Sequence, residues 1–398
     1  MKPKILLVAH GYPFETIGGV GQVLTQLVEQ LPAMGWDVHV LVPEIVRWQR
    51  KPKIVSTTHT WGTLHKLHRH IHRWSQAWVD MSANSTLQIW LSKLLPHTIH
   101  IHHLNGFPVD WLLTSTAYVH LTLHDYAIPC SRGQLLDRNL HVCDGPSPTK
   151  CHTCIEPWLS LERHSLQKLE QRQLLITELL ESIDRIDAPS VDLIQRIQFV
   201  YPALTIEHCS LPVAEVEEYH LNEIISHKDC RDHTTHKFLF VGSIHPSKGV
   251  LLALQAFSNL NIPAHLTIVG GTSPSDIQPN YSTICAHFAE QFHNILWLGQ
   301  LTHTAVLNEM MSHDTLILPS VWPENSPIVI REALQRGMTV ICGRGGSVEL
   351  SDEIVQAIPL GISTLTVAMT EVSKRKQQKS TIYPSPKQSI EHWIGPPI

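Results

Sequence analysis

Apolar residues occur along this chain in short continuous runs, separated by longer segments in which apolar positions recur every three or four residues. Short continuous runs indicate buried parallel strands, and a period of 3.6 residues indicates helices that pack by one face. The runs that we assign to strands are residues 4–9, 38–42, 98–102, 119–123, 186–188, 237–241, 264–269, 295–298, 315–318 and 338–342. The main helical patterns lie at 20–31, 87–95, 159–183, 251–257, 305–311, 328–336 and 363–372.

This alternation of strand and helix runs through both halves of the chain. It predicts an α/β protein with two Rossmann-like domains, each a doubly wound parallel sheet, whose strand ends face a cleft. The 398 residues are enough for two such domains, each with its own core. We expect domains at 1–215 and 237–372, a charged linker at 216–236, a cysteine-rich insertion at 130–154 and a tail at 373–398. For that tail, crossing back to the first domain is one option.

Residues 64–78 carry Leu, Ile and Trp at roughly helical spacing, with Lys, Arg and His between them. The pattern predicts an amphipathic helix. Such a helix either packs one face on the sheet, which is the favoured interpretation, or lies on an anionic membrane surface.

Charge and hydropathy exclude several classes of protein. A net charge of −5 without a basic stripe argues against nucleic-acid binding. No apolar run has the length of a signal-peptide core or a transmembrane helix, so we expect a cytoplasmic protein, with the inner membrane face as an alternative place. The 28 histidines are scattered, and we expect most of them to be surface substitutions.

Four cysteines follow the strand at 119–123. They are Cys130, Cys143, Cys151 and Cys154, and the last two form a Cys-x-x-Cys pair. Four thiolates complete a tetrahedral zinc site, which would order a segment that has little core of its own. Free thiols are the alternative, and disulfides are the least favoured in a cytoplasmic protein.

Three strand ends carry residues suited to ligand binding, because ligands of open α/β sheets lie at the carboxyl ends of the strands. Gly18 and Gly19 open the first helix, although not in the dinucleotide pattern G-x-G-x-x-G. His124 ends one strand, where binding and simple packing are both open. Gly242 and Lys248 follow another, and Lys248 either meets a phosphate or is merely exposed.

A loop that runs into a helix carries two carboxylates, Glu324 and Glu332, with seven residues between them. Ser326 is a favoured N-cap and Pro327 a favoured first helical residue, so the helix N-terminus between the carboxylates offers free N–H groups to a phosphate. Hydroxyl-binding carboxylates on both sides of a phosphate suit a nucleotide-sugar. Two solvated glutamates on a surface helix are the alternative.

Together these residues resemble glycosyltransferase family 4, whose members are retaining enzymes of the GT-B fold. The resemblance covers about residues 4–360, and the cysteine cluster resembles a subset of the family. The segments that carry it are Gly18-Gly19-Val20-Gly21, Thr122-Leu-His-Asp125, Gly242 through Lys248-Gly249, Pro319-Ser320 through Glu324-x7-Glu332, and Gly345-Gly346.

The resemblance implies a role for each part of the second domain. Glu332 would bind the ribose of a UDP- or GDP-linked sugar, and Glu324 would bind hydroxyls of the transferred hexose. The N–H groups around the segment Ser326–Ile328, together with the side chain of Lys248, would hold the diphosphate. No divalent metal would be needed, because the helix dipole and basic residues stabilise the leaving charge.

For the first domain, the resemblance implies that Gly18 and Gly19 let it close over the phosphate and that His124 contacts the sugar. The acceptor would be a glycan or a lipid-linked molecule, as in polysaccharide or glycoconjugate biosynthesis. Ser243 departs from the family, which usually carries an arginine there, and the region after Gly346 is short. A weakened nucleotide-sugar-binding protein of the same fold is therefore the second hypothesis, and a zinc-centred adaptor is the third.

Overall fold

The computed structural model describes residues 2–14, 18–46, 49, 51–69, 80–155, 166–211, 235–273, 278–343, 355–375 and 394. The chain forms two compact units. Unit 1 comprises residues 1–135, 144–212 and 387–398, and unit 2 comprises residues 136–143 and 213–386. Most of the predicted linker and of the predicted tail lies outside the described residues, as do Gly345 and Gly346.

Unit 1 is built on an eight-stranded sheet. Its strands are β1 (Lys4–Val8), β2 (Asp37–Ile45), β3 (Lys53–His59), β4 (Gly62–Arg69), β5 (Thr98–Ile101), β6 (Tyr118–Thr122), β7 (Arg185–Ala188) and β8 (Glu207–His208). They lie in the order β3-β4-β2-β1-β5-β6-β7-β8. All neighbours are parallel except β3 and β4, so a parallel sheet carries one antiparallel edge strand.

The helices of unit 1 connect these strands. They are α1 (Gly19–Gln30), α2 (Met81–Leu94), α3 (Asp110–Leu113), α4 (Pro148–Ile155), α5 (Leu166–Ser182) and α6 (Val191–Val200). Local chemistry fixes two of their starts, because Asp80 accepts from the N–H groups of Ser82 and Ala83, and Ser190 accepts from Leu193 N–H. Strand β1 is buried at the centre of the sheet, with Ile5, Leu6, Leu7 and Val8 at 0% exposure.

The predicted helix at 64–78 is wrong where the structure describes it, because residues 62–69 form strand β4. A two-residue turn joins β3 to β4, and β4 also pairs along seven residues with β2. Gly62 is needed at this turn, since a Cβ there would lie 2.2 Å from the carbonyl oxygen of Val38. Because residues 62–69 form a strand and not an amphipathic helix, they give no support to the membrane-surface interpretation. Residues 70–79 lie outside the described part of the chain.

Some histidines depart from the expectation that most of them are surface substitutions. Of the histidines that the structure describes, seven are less than 9% exposed, and six of these belong to unit 1. Two of them pair across neighbouring strands: the rings of His100 and His120 stack at 4.0 Å, and His120 Nε2 donates to Asp187 at 2.6 Å. Imidazoles buried in this way keep a polar partner while filling apolar volume.

Unit 2 is built on a six-stranded, fully parallel sheet. Its strands are β9 (His236–Val241), β10 (Ala264–Val269), β11 (Ile295–Gly299), β12 (Thr315–Leu318), β13 (Thr339–Gly343) and β14 (Val355–Ile358). The order is β11-β10-β9-β12-β13-β14, a doubly wound arrangement. Its helices are α7 (Val250–Ser258), α8 (Tyr281–Ala289), α9 (His303–Ser312), α10 (Ile328–Gln335) and α11 (Ile362–Lys374).

Two apolar clusters cover the faces of this sheet. Phe238, Phe240 and Ile268 belong to the cluster that includes helices α7, α8 and α11, while Leu239 and Leu316 belong to the cluster that includes α9 and α10. The predicted helices on both faces are therefore confirmed for unit 2. Among the described residues, no helix has the length and apolar character needed to cross a membrane.

Candidate functional site

The order in which the chain adds strands to the sheet of unit 2 reverses between β9 and β12, although all six strands are parallel. From β9 the chain builds outward through β10 and β11, and then it returns to the other side of β9 to add β12, β13 and β14. The loops after β9 and β12 therefore leave the same edge of the sheet side by side. Ligands of doubly wound sheets bind at such a switch point, outside the carboxyl ends of the strands.

These two loops are locked together by backbone contacts. Val321 N–H donates to the carbonyl oxygen of Ser247 at 2.7 Å. Gly249 has φ of 69°, and a Cβ at this position would lie 2.1 Å from the carbonyl oxygen of Pro319. Only glycine allows this approach, so Gly249 brings the 3₁₀ turn Pro246–Lys248 against the loop that carries Glu324.

Glu324 is a buried carboxylate with a cation beside it. It is 6% exposed, and its Oε1 accepts from Lys248 Nζ at 2.7 Å and from the hydroxyl of Ser320. The Lys248 ammonium also lies 4.9 Å from the ring centroid of Trp322. Because both partners are mostly desolvated, solvent screens their attraction less than that of a surface ion pair. Lys248 is therefore not a merely exposed lysine.

The helix start differs from the expected one by a residue. Ser326 is not the N-cap, since its backbone has φ of 59°, and Pro327 takes the N-cap position without a side-chain hydrogen bond. The first intrahelical bond runs from Ile330 N–H to the carbonyl oxygen of Pro327, so the N–H groups of Ile328 and Val329 have no partner within the helix. The Ser326 hydroxyl instead accepts from Arg331 Nη2 at 2.9 Å.

The backbone of Ser326 is strained, because a non-glycine residue in the left-handed region costs about 1–2 kcal/mol. Ser326 and Arg331 are 3% and 8% exposed, so the surrounding packing holds this conformation in place. Strain of this kind is often retained where a loop must present groups to a ligand. It thus agrees with a binding loop at 319–327.

Glu332 lies one turn inside α10 and is 7% exposed. Its Oε1 accepts from His303 Nε2 at 2.6 Å, and this hydrogen bond raises the pKa of His303. Arg336 Nη1 donates to the backbone carbonyl of Glu332 at 3.0 Å. Two solvated surface glutamates are excluded as an interpretation, since Glu324 and Glu332 are both buried.

Gly242 and Ser243 form the start of the loop after β9. Gly242 N–H donates to the carbonyl oxygen of Val269 at 3.0 Å, and a Cβ on Gly270 would lie against the carbonyl oxygen of Gly242. Ser243 is exposed at the same edge of the sheet. The structure thus places Gly242, Ser243, Lys248, Glu324, Ser326, Pro327, Ile328 and Glu332 on the two switch-point loops and on the helix that follows.

Unit 1 has a switch point of its own, between β1 and β5. His124 follows the next strand, and its Nε2 shares a hydrogen bond of 3.0 Å with His102 Nδ1. Burial lowers the pKa of His124 to about 4, with a further contribution from His103. Asn105 N–H donates to His103 Nδ1, so His103 Nε2 carries the hydrogen and donates to Asp125 at 2.9 Å.

His10, His102 and His103 also lie at this edge and were not predicted from the sequence. The ring of His10 meets that of His103 edge-on at 4.2 Å, and burial lowers the pKa of His10 to about 3. The available signal was their position directly after two strands. Gly18 precedes α1 with φ of 132° and Gly19 is its first residue, so both lie where expected at the helix start.

The four cysteines form no disulfide bonds. Cys130 is buried, while Cys151 and Cys154 lie half-buried on α4. Within the described residues, no group of three or more His, Cys, Asp or Glu side chains is arranged to hold a metal ion. The structure therefore adds no support for the zinc site, which stays a prediction that metal analysis of purified protein tests.

Comparison with protein families finds two matches in different parts of the chain. Residues 222–351 match the model of glycosyl transferases group 1. Residues 4–106 match the model of the starch synthase catalytic domain. No curated protein sequence matches the chain. The first match contains both switch-point loops of unit 2, and the two together support the coarse prediction of a glycosyltransferase.

Solved structures resemble the whole chain at low identity. A trehalose-phosphate synthase (UDP-forming) from Burkholderia vietnamiensis has a TM-score of 0.66 and 12% identity, covering 96% of this chain and 91% of that one. Sucrose-phosphate synthase from Thermosynechococcus elongatus has a TM-score of 0.64 and 16% identity, covering 93% of this chain and 90% of that one. The catalytic domain of starch synthase IV from Arabidopsis thaliana, bound to ADP and acarbose, has a TM-score of 0.59 and 14% identity, covering 96% of this chain and 94% of that one. These likenesses confirm the predicted α/β fold of GT-B type with two parallel-sheet domains.

Proposed function

We propose that this chain is a retaining glycosyltransferase that moves a hexose from a nucleotide-diphosphate sugar to a glycan or lipid-linked acceptor. The observation that carries the proposal is the ion pair between half-buried Lys248 and buried Glu324 beside the N-terminus of α10, at the switch point of unit 2. The match of residues 222–351 to glycosyl transferases group 1 supports it from an independent direction.

The charges of the site suit a diphosphate next to a sugar. A lysine ammonium has three N–H donors, so Lys248 can keep its bond to Glu324 and still donate to a phosphate oxygen. The N–H groups of Ile328 and Val329, at the positive end of the α10 dipole, add two further donors for an anion. An ionised carboxylate accepts hydrogen bonds and donates none, so Glu324 suits the hydroxyls of the sugar, which can donate to it.

In the reaction that we propose, the bond between the sugar carbon and the diphosphate oxygen breaks, and the acceptor oxygen bonds to that carbon on the same face. The leaving diphosphate takes up the acceptor's proton. Lys248 and the α10 N–H groups stabilise the negative charge that develops on the diphosphate, which is the largest contribution that such a site can make. Glu324 then orients and electrostatically stabilises the sugar. We propose no covalent intermediate on it and no requirement for a divalent metal.

The similar structures suggest which substrates to try first. One trehalose-6-phosphate structure is bound with UDP-2-fluoro glucose, and starch synthase IV is bound to ADP. The WaaG structure is described as a glycosyltransferase of lipopolysaccharide biosynthesis, which fits a lipid-linked acceptor. We therefore rank UDP-, GDP- and ADP-linked hexoses as candidate donors. Roles of Gly18, Gly19 and His124 in unit 1 stay predictions.

A thermal-shift panel of nucleotide-sugars tests the proposal, since a ligand that binds only the folded state stabilises it by mass action. At 100 times the dissociation constant, we expect about 2.7 kcal/mol of stabilisation for the correct donor. The same hexose 1-phosphates without nucleotide serve as controls. No stabilisation by any nucleotide-sugar at millimolar concentration would contradict the proposal.

A weakened nucleotide-sugar-binding protein is the second candidate, and Ser243 favours it. Ser243 is exposed at the loop after β9, where an arginine would add a second cation beside Lys248. This candidate predicts stabilisation by a nucleotide-sugar without hydrolysis or transfer. The variant Ser243→Arg tests it: a gain in transfer of tenfold or more would indicate that the missing cation limits the reaction.

A further inference from the structure

His303 makes a short polar contact with one of the two carboxylates of the site. It is the first residue of α9, directly after the N-cap Thr302, whose hydroxyl accepts from Ala305 N–H. His303 Nε2 lies 2.6 Å from Glu332 Oε1. The Glu332 side chain is 9% exposed and that of His303 is 48% exposed, so a half-exposed imidazole contacts a buried carboxylate.

The second oxygen of the Glu332 carboxylate is in a different situation. Within the described part of the chain, Oε2 of Glu332 accepts no hydrogen bond, and Arg336 donates to the backbone carbonyl of Glu332 instead of the carboxylate. An ionised carboxylate has about four lone-pair sites. His303 therefore fixes the orientation of the group through Oε1 and leaves the lone pairs of Oε2 for other donors.

We propose that His303 is a positioning residue for Glu332, holding Oε1 so that Oε2 accepts hydrogen bonds from the ribose hydroxyls of a bound nucleotide. The inference rests on the proposed function, because it takes Glu332 as the ribose-binding carboxylate. It adds a residue from a different helix, 29 positions away along the chain. His303 acts through Glu332 and touches neither the sugar nor the reacting atoms.

Protonation of His303 changes the acceptor strength of Glu332. The hydrogen bond and the charge of Glu332 raise the pKa of His303, while burial and the charge of Arg336 oppose this; Glu332 and Arg336 are the charged groups that face it. A charged His303 forms an ion pair with Glu332 and withdraws electron density from the carboxylate. Nucleotide affinity is therefore expected to fall as the pH drops through the raised pKa.

The test compares nucleotide binding by calorimetry at pH 8 and pH 6, with UDP, GDP and ADP as probes. His303→Gln keeps a neutral N–H donor at a similar reach, His303→Ala removes the donor, and His287→Gln changes a histidine that is 78% exposed on α8. Titration of the nucleotide phosphate affects all variants equally, so it cancels in the ratio of wild type to variant.

At pH 8 we expect His303→Ala to weaken binding about fivefold, the worth of about one hydrogen bond, and His303→Gln to stay within about twofold of wild type. Between pH 8 and pH 6, wild type and His287→Gln should lose about threefold more affinity than His303→Gln. Thermal melting confirms that each variant is folded.

Two results overturn the inference separately from the proposed function. If the wild type binds a nucleotide and His303→Ala binds it equally well at both pH values, His303 does not position Glu332. If His303→Gln keeps the full pH dependence of wild type, protonation of His303 does not control the site. Absence of nucleotide binding to the wild type overturns this inference together with the proposed function.

Discussion

Acidification is expected to destabilise unit 1 through its buried histidines, and His65 allows the effect to be worked out. His65 lies on β4 and is 5% exposed. Its Nδ1 shares a 2.7 Å hydrogen bond with the Ser56 hydroxyl, and its Nε2 shares one of 3.0 Å with His39. Burial, followed by the neighbouring His39, lowers the pKa of His65 to about 4.

The sign follows from proton binding. In the unfolded chain the pKa of a histidine is about 6.5, so below this pH the unfolded state binds more protons at His65 than the native state does. Stability therefore falls as the pH drops from about 6.5 toward 4. Since one pKa unit corresponds to about 1.36 kcal/mol, the loss between pH 7 and pH 5 is about 2 kcal/mol for this residue.

Urea unfolding at pH 7 and pH 5, followed by hydrogen exchange of the β4 peptide, measures this loss. His65→Gln cannot become charged, so its loss between the two pH values should be about 2 kcal/mol smaller than that of wild type. His59→Gln, at an exposed position in the same hairpin, is the matched control and should behave like wild type. Equal losses in wild type and His65→Gln would refute the reasoning.

Two further substitutions test the geometry of the switch point. Gly249 and Gly299 have the same φ of 69°, but a Cβ meets the Pro319 oxygen at 2.1 Å in the first and nothing within 4 Å in the second. Gly299→Ala should cost about 1–2 kcal/mol of unfolding free energy and Gly249→Ala clearly more, and equal costs in urea unfolding would contradict the close approach. Lys248→Met leaves Glu324 buried without its cation, so it should lower the unfolding free energy by about 1–3 kcal/mol, and adding Glu324→Gln should recover part of that loss. An additive double variant would show that the two side chains are not coupled.

Five of the six strands of unit 2 were predictable because each contains a short run of mostly apolar residues, whereas β14 (Val355–Ile358) was not predicted. The expected strands at 264–269 and 315–318 agree with β10 and β12 at both ends, and that at 237–241 misses one residue of β9. Strand β4 was not predictable in the same way. Its apolar residues are few and separated by Lys and His, so the order of side chains fits a helix as well as a strand. Its strand conformation is decided by pairing with β2, which is distant in the sequence, and with β3, which was not predicted as a strand.

The candidate site was predictable in its parts that are local in sequence. Glu324, Glu332 and the helix start between them lie within one segment, and Lys248 follows a strand end. The left-handed backbone of Ser326 was not predictable, because it depends on the buried contact with Arg331. His303 was missed for a similar reason, since only the packing of α9 against α10 brings it to Glu332.

The central claim is that Glu324 belongs to the reacting centre of a sugar-transfer site in unit 2. The most direct measurement is the rate of nucleotide-sugar hydrolysis or transfer by Glu324→Ala, using the donor that the thermal-shift panel selects. Glu290→Ala, at a glutamate that is 77% exposed, is the control. We predict a loss of about a hundredfold or more for Glu324→Ala and none for Glu290→Ala. Wild-type activity in a folded Glu324→Ala protein would contradict the claim.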